Sequence, residues 1–153
     1  RDGETVEPNP DYPRFVADPQ IATYVARYAD AARAASLRPV GRISAPARKD
    51  GIENAIGNLV ADAQLAATRD VGAQIALMNP GGIRADIEPS DDGTVTFGQI
   101  YAVQPFGNTL VTKSFTGAQL IALLEQQFAD PGYPKVFSVS KGFAMRIEER
   151  DGA

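Results

Sequence analysis

The chain has 153 residues, 44% of them hydrophobic and 22% charged, a balance that suits one globular domain of about 150 residues. Fifteen Lys and Arg against nineteen Asp and Glu leave a net charge of −4, which argues against nonspecific binding to nucleic acid or to an anionic membrane. Cysteine and histidine are both absent, which excludes disulfides, thiol catalysis, His-dependent triads and His- or Cys-ligated metals.

Chemistry carried by this chain alone must therefore use carboxylates, hydroxyls, Lys, Arg or backbone. The first residue is Arg1 rather than Met, so we expect a processed chain or an excised piece. No apolar run approaches the roughly 20 residues that a membrane helix needs. The lack of cysteine fits a bacterial periplasm as well as a cytosol.

Residues 1–19 are polar and Pro-rich, with Pro8, Pro10, Pro13 and Pro19, and read as an extended arm. Asp18 followed by Pro19 is a helix start, an N-cap with Pro at the first helical position. Ile21, Tyr24, Val25, Tyr28 and Ala32 then fall at helical spacing, so a helix is expected to run to about Ser36. A strand is expected over 39–45 and a charged loop over 46–53. Asn54 caps a second helix rich in apolar positions (Ile56, Leu59, Val60, Ala63, Leu65, Ala66 and Ala67), which Asp70 to Gly72 ends.

The short apolar run 73–78 reads as a buried strand, and 79–93 as a loop punctuated by Asn-Pro, Gly-Gly and Asp-Gly. A short extended piece holds Val95 and Phe97, and a short helix is expected near 97–103. Residues 105–108 read as a turn and 109–115 as an alternating strand. Thr116 caps a third helix, 117–129, with Leu120, Ile121, Leu123, Leu124 and Phe128 inward. Two strands, 135–140 and 143–148, close the chain as an antiparallel pair. Helices interleaved with strands, and a terminal hairpin, give an α+β class with a mixed β-sheet.

Three constellations could carry chemistry. Directly after the buried strand comes Asn79-Pro80-Gly81-Gly82-Ile83-Arg84. Gly81 and Gly82 let backbone N–H groups approach an anion, Arg84 brings a five-donor fork, and Asn79 supplies an amide that reads a base or a ribose. A tight turn with a solvated arginine is the bland alternative. The Asn before and the Arg after the glycines favour function.

Phe106, between Pro105 and Gly107, can offer a ring face to a base; taken alone it is more simply a core filler under a loop. Gly57 sits inside the second helix, where glycine costs about 1 kcal/mol against Ala, so it signals close helix–strand packing. Glu53 with Arg48 and Lys49 forms a charged loop, equally consistent with solvation and with anion binding. The acidic residues Asp86, Glu88, Asp91 and Asp92 lack the ligand order of a calcium loop and read as a solvated surface.

Taken together, residues 53–59 (ENAIGNL), 79–84 (NPGGIR), 97–100 (FGQI) and 105–108 (PFGN) resemble, in order and spacing, the C-terminal domain of the 5′-nucleotidase family. That family includes UDP-sugar hydrolases and 2′,3′-cyclic nucleotide phosphodiesterases. The resemblance runs from about residue 40 to the end. It implies a substrate-binding domain over 38–153, preceded by a linker arm and interdomain helix over 1–37.

The resemblance further implies that Asn79, Gly81, Gly82, Arg84, Phe106 and Asn108 contact a nucleoside or nucleotide. Two divalent metal ions would sit in a separate N-terminal metallophosphoesterase domain, and none in this chain. There a metal-activated water would attack a phosphate ester. Ile52 stands where many members have an arginine, and Arg48 is the expected substitute. Pro80 replaces a usual glycine. A later Gly-Gly-Asp-Gly segment, which carries a second stacking ring, does not follow, so the pocket is expected to be incomplete at the C-terminal end. The implied setting is periplasmic, extracellular or at the bacterial cell surface. Alternatives are a cyclic-nucleotide or UDP-sugar hydrolase parent, or a non-catalytic binding or scaffold module of a surface protein.

Overall fold

The structure is a computed structural model that describes residues 9–11, 13–129 and 135–148. Helix α1 spans Pro19–Ser36. The Asp18 carboxylate accepts from the N–H of Gln20 at 2.8 Å and of Ile21 at 3.2 Å, as the Asp-Pro start requires. Its apolar stripe lies open: Ile21, Tyr24, Val25 and Tyr28 are all exposed. The C-terminal end of α1 is held close, where Ser36 lies against Gly98.

Strand β1 (Pro39–Arg42) pairs antiparallel with β3 (Thr94–Thr96). Between them in the chain come α2 (Ala55–Thr68) and β2 (Leu77–Met78), and after them α3 (Phe97–Val103), α4 (Gly117–Glu125) and β4 (Ser138–Val139). β4 pairs antiparallel with β2, Leu77 opposite Val139 and Met78 opposite Ser138. Among the described residues both ladders are antiparallel, and the helices pack against them in an α+β arrangement.

The core collects Ala47, Ile56, Ala61, Met78, Ile83, Ile87, Val95 and Val103. Each large aliphatic side chain buried here stabilises the fold by about 1.5–3 kcal/mol. Met78 and Ile83 flank the Asn79–Pro80–Gly81–Gly82 turn, so the core grips that loop at both ends.

Several expectations change. Residues 109–115 form no strand: no neighbouring strand lies alongside them among the described residues, and alternation without a partner makes no ladder. The terminal hairpin is also absent. Residues 143–148 are irregular, and 138–139 turns instead to β2, where Ser138 is buried against Gly57. The strand expected over 73–78 contracts to two residues, although Ser140 extends the contact through its N–H to the Ala76 carbonyl at 3.0 Å.

The third helix stops at Glu125 and passes into a 3-10 turn, Gln126–Phe128. Ile121 and Phe128, expected inward, are exposed, whereas Gln127 is buried. Its amide is satisfied on both sides, donating to the Leu124 carbonyl at 2.8 Å and accepting from the Phe137 N–H at 2.5 Å. In α2, Leu59, Ala63, Ala66 and Ala67 face outward, and Ile56, Gly57, Ala61 and Leu65 are the buried set. The arm expected over 1–19 falls partly, and the polar end over 149–153 wholly, outside the described residues.

Candidate functional site

The loop after β2 is built from inside outward. Pro80–Gly82 forms a single 3-10 turn with Pro at its first position. The N–H of Gly82 donates to the Asn79 carbonyl at 3.1 Å and that of Ile83 to the Pro80 carbonyl at 3.2 Å. The N–H of Arg84 goes to the Val103 carbonyl at 2.8 Å. The expected cradle of free backbone donors is therefore not formed, because three of its N–H groups already have acceptors inside the protein.

The two glycines serve Asn79 instead. A Cβ on Gly82 would meet the Met78 methyl and stand 3.2 Å from Asn79 Oδ1, and one on Gly81 would stand 3.4 Å from Asn79 Nδ2. The Asn79 amide thus folds over a turn kept bare of side chains. Asn79 and Arg84 are exposed while their neighbours Met78 and Ile83 are buried. Among the described residues the Arg84 side chain makes no ion pair. What the loop presents is an amide and an unpaired guanidinium on a rigid base.

The bond from Arg84 to Val103 joins this loop to the end of α3. Helix α3 begins in a capping box: Thr96 Oγ accepts from the Gln99 N–H, and Gln99 Oε1 accepts from the Thr96 N–H at 2.8 Å. At its other end Gln104 Nε2 donates to Met78 Sδ at 3.5 Å, and Gln64 Nε2 reaches the same sulfur at 3.3 Å. Phe106 follows three residues after Val103, with 47% of its surface exposed. Its ring makes no aromatic or cation contact among the described residues. Asn108 beyond it is exposed too, though 105–108 adopts no assigned turn.

Arg48 goes elsewhere. Ala47 and Ile87 exchange backbone hydrogen bonds at 3.0 and 2.9 Å, and the next residue, Arg48, donates through Nε to Glu88 Oε1 at 2.8 Å. That partner raises the Arg48 guanidinium above its ordinary range, by hydrogen bond first and charge second. The neighbouring Lys49 takes a different path. Its N–H donates to Asp86 Oδ1 at 2.8 Å, and its Nζ donates to the Ile83 carbonyl at 3.1 Å. Lys49 was legible only as one charge of a loop, and no local signal separates it from Arg48.

The acidic residues work as surface scaffolding. Asp86 holds Lys49, Glu88 holds Arg48, and Asp92 accepts from the Thr94 N–H at 3.0 Å and hydroxyl at 2.8 Å. These two bonds pull the Asp92 carboxyl below the usual carboxylate range. Among the described residues no group of three or more acidic side chains is placed to hold a metal ion.

The family profile described as "5′-nucleotidase, C-terminal domain" matches residues 31–149. This chain belongs to that family. As a 5′-nucleotidase C-terminal domain it is 38% identical over 99 residues to the trifunctional nucleotide phosphoesterase protein YfkN of Bacillus subtilis, covering 61% of this chain and 7% of that protein. It is 37% identical over 93 residues to protein UshA of Escherichia coli, 58% of this chain and 16% of that one. A match to the cell wall protein Lmo0130 of Listeria monocytogenes is 38% identical over 84 residues, 52% of this chain and 11% of that one.

The crystal structure of a 5′-nucleotidase precursor from Thermus thermophilus superimposes with a TM-score of 0.68 at 32% identity, over 82% of this chain and 26% of that one. The α+β class read from the sequence is thus that of the 5′-nucleotidase C-terminal domain. The chain spans only a small part, 7% to 26%, of the lengths of these four proteins.

Proposed function

We propose that this domain recognises the nucleoside part of a nucleotide for a secreted, metal-dependent phosphohydrolase of the 5′-nucleotidase type. Arg84 anchors the sugar–phosphate end, Asn79 and Asn108 orient the nucleoside, and Phe106 stacks the base. Gly81 and Gly82 keep the turn bare beneath Asn79. The observation that carries the reading is the hydrogen bond from the Arg84 N–H to the Val103 carbonyl at 2.8 Å. It ties the cationic loop to the segment that displays the exposed ring, two motifs far apart in the chain. Each alone is a surface feature; tied together they offer an anion contact and a stacking face on one rigid frame.

The two metal ions of such a hydrolase do not fit the residues of this chain. It has no histidine, no group of three or more acidic side chains is placed to hold a metal ion among the described residues, and Asp86, Glu88 and Asp92 are engaged by Lys49, Arg48 and Thr94. The metals and the bond-breaking chemistry belong to a metallophosphoesterase domain elsewhere in the parent protein, and the 153-residue chain alone is inactive. The parent is periplasmic, extracellular or at the cell surface; the likeness to a cell wall protein supports that placement, and no helix among the described residues is long and apolar enough to cross a membrane.

The test is phosphate release by the full-length parent from AMP, a 2′,3′-cyclic nucleotide and a UDP-sugar, with and without a chelator. Chelator-sensitive release from any of the three that falls at least tenfold in Arg84→Ala supports the reading. Its absence for all three overturns the hydrolase and leaves a binding module.

A further inference from the structure

We infer that the Met78 thioether is a latch between the Asn79 turn and the Phe106 segment, and that Gln104 is a positioning residue acting through it. What the latch serves rests on the nucleotide reading above; the latch itself rests on geometry alone. Met78 comes directly before Asn79, and only Pro105 separates Gln104 from Phe106. The Met78 side chain is buried in the core. Its methyl lies against the position a Cβ on Gly82 would take, so the turn sits directly on it. Its sulfur receives two amides, Gln64 Nε2 from α2 at 3.3 Å and Gln104 Nε2 at 3.5 Å.

A methionine in a core ordinarily fills space, and its three side-chain torsions leave it adaptable. A thioether is also a weak acceptor, so one donor alone restrains it little. Two donors from separate elements fix where the sulfur lies, and the methyl beyond it carries the turn. On the other side, Pro105 has a fixed φ, so the placement of Gln104 reaches the Phe106 ring with one free torsion fewer. The Arg84 N–H already ties these two segments at Val103. A single tie leaves a pivot, and the sulfur supplies a second point at the Asn79 end. A ligand that touches Asn79 and Phe106 together depends on that spacing. Inorganic phosphate, held by Arg84, does not.

The experiment replaces the sulfur by a methylene. The chain has two methionines, so a Met145→Leu background confines norleucine to the Met78→norleucine change. Side-chain length and the packing under Gly82 are kept, and the acceptor is lost. Amide shifts of the isotope-labelled 153-residue chain are followed in that background, with Met78→norleucine, with Gln104→Leu and with both. Each is recorded free and during titration with AMP, adenosine and inorganic phosphate. In the free chain Gln104→Leu is expected to move the Gly82 amide, and Met78→norleucine those of Phe106 and Gly107, each across the sulfur. Either change weakens AMP and adenosine about two- to fourfold, the low end for a net hydrogen bond because sulfur accepts weakly. Phosphate is unchanged, and the double variant loses no more than the larger single loss.

Additive losses overturn the latch, since the two residues then act independently. An equal loss for phosphate also overturns it, because the change has loosened the domain as a whole. Background affinity for AMP and adenosine in both single variants overturns the positioning role and leaves the nucleotide reading standing. If AMP and adenosine bind no better than phosphate, or no probe binds, the nucleotide reading fails. The latch then stands if the shifts across the sulfur are present and falls if they are absent.

Discussion

The backbone N–H of Arg84 donates to the carbonyl of Val103 at 2.8 Å, and this one bond aligns the guanidinium loop with the segment leading to Phe106. The loop side of the bond is held by Ile83 and the helix side by Val103, both buried in the same core. The side chain of Arg84 plays no part in that packing. Arg84→Ala should therefore leave stability within about 0.5 kcal/mol while AMP binding falls about tenfold or more, the size of a charge-assisted hydrogen bond. Thermal unfolding alongside a binding titration checks both halves.

Phe106 makes the complementary prediction. Its ring is 47% exposed and has no aromatic partner among the described residues. Phe106→Ala should weaken adenosine and AMP alike, by about 1–3 kcal/mol if the ring stacks on the base. Inorganic phosphate should be indifferent to it. A loss of stability without a loss of adenosine affinity would return Phe106 to the role of core filler.

Gly57 tests the packing beneath the site. A Cβ there would lie 2.6 Å from the Ser138 Cβ and 2.8 Å from Asn54 Oδ1, and would also strike the Ser138 hydroxyl. Two effects oppose each other in Gly57→Ala. Helix propensity favours alanine by about 1 kcal/mol, whereas overpacking a buried helix–strand contact costs about 1–3 kcal/mol. The clash should win, because its partners are a strand residue and a cap rather than a flexible chain end. We expect a net destabilisation in chemical denaturation that shrinks in the double variant Gly57→Ala/Ser138→Gly. Additive losses would show that the two residues do not press on each other.

Asn54 is buried, and its Oδ1 accepts from the Gly57 N–H at 2.8 Å at the start of α2. Asn54→Ala should cost about 1 kcal/mol as a lost N-cap, and Asn54→Asp or Asn54→Ser should recover part of it. Denaturant midpoints across the series measure this directly. Equal midpoints for Asn54→Ala and wild type would mean that packing alone sets the helix start.

Asp92 gives a pH dependence with a defined sign. Its carboxyl is lowered by the Thr94 N–H and hydroxyl, so the folded state favours the charged form. The stabilisation is present above the ordinary carboxylate range and is lost as pH falls through the lowered folded value. Asp92→Asn should therefore differ from wild type at neutral pH and converge with it in strong acid. The side chain is exposed, so the difference should be small and the convergence is the decisive feature.

Local signals were legible where the structure is local. Asp18-Pro19, Asn54 and Thr116 start helices in the structure as in the sequence, because a cap binds N–H groups two or three residues away. The Thr96–Gln99 capping box repeats the Thr116–Gln119 pattern and could have been read in the same way. Family membership was legible too, through the order of four short motifs, and the candidate site loops lie within them.

What the sequence by itself determined is thus the helix starts, the family, and the identity of the chemical groups that the candidate loops carry. Only the tertiary structure decided who touches whom. Alternating residues 109–115 and 143–148 are equally strand-like, yet a ladder needs a neighbour, and β4 finds its neighbour in β2 because Ser138 fits against a glycine. Arg48 and Lys49 are adjacent cations with the same local prospects. Their partners come from residues more than thirty positions away, and that long-range geometry sends one to Glu88 and the other to the carbonyl beside Arg84.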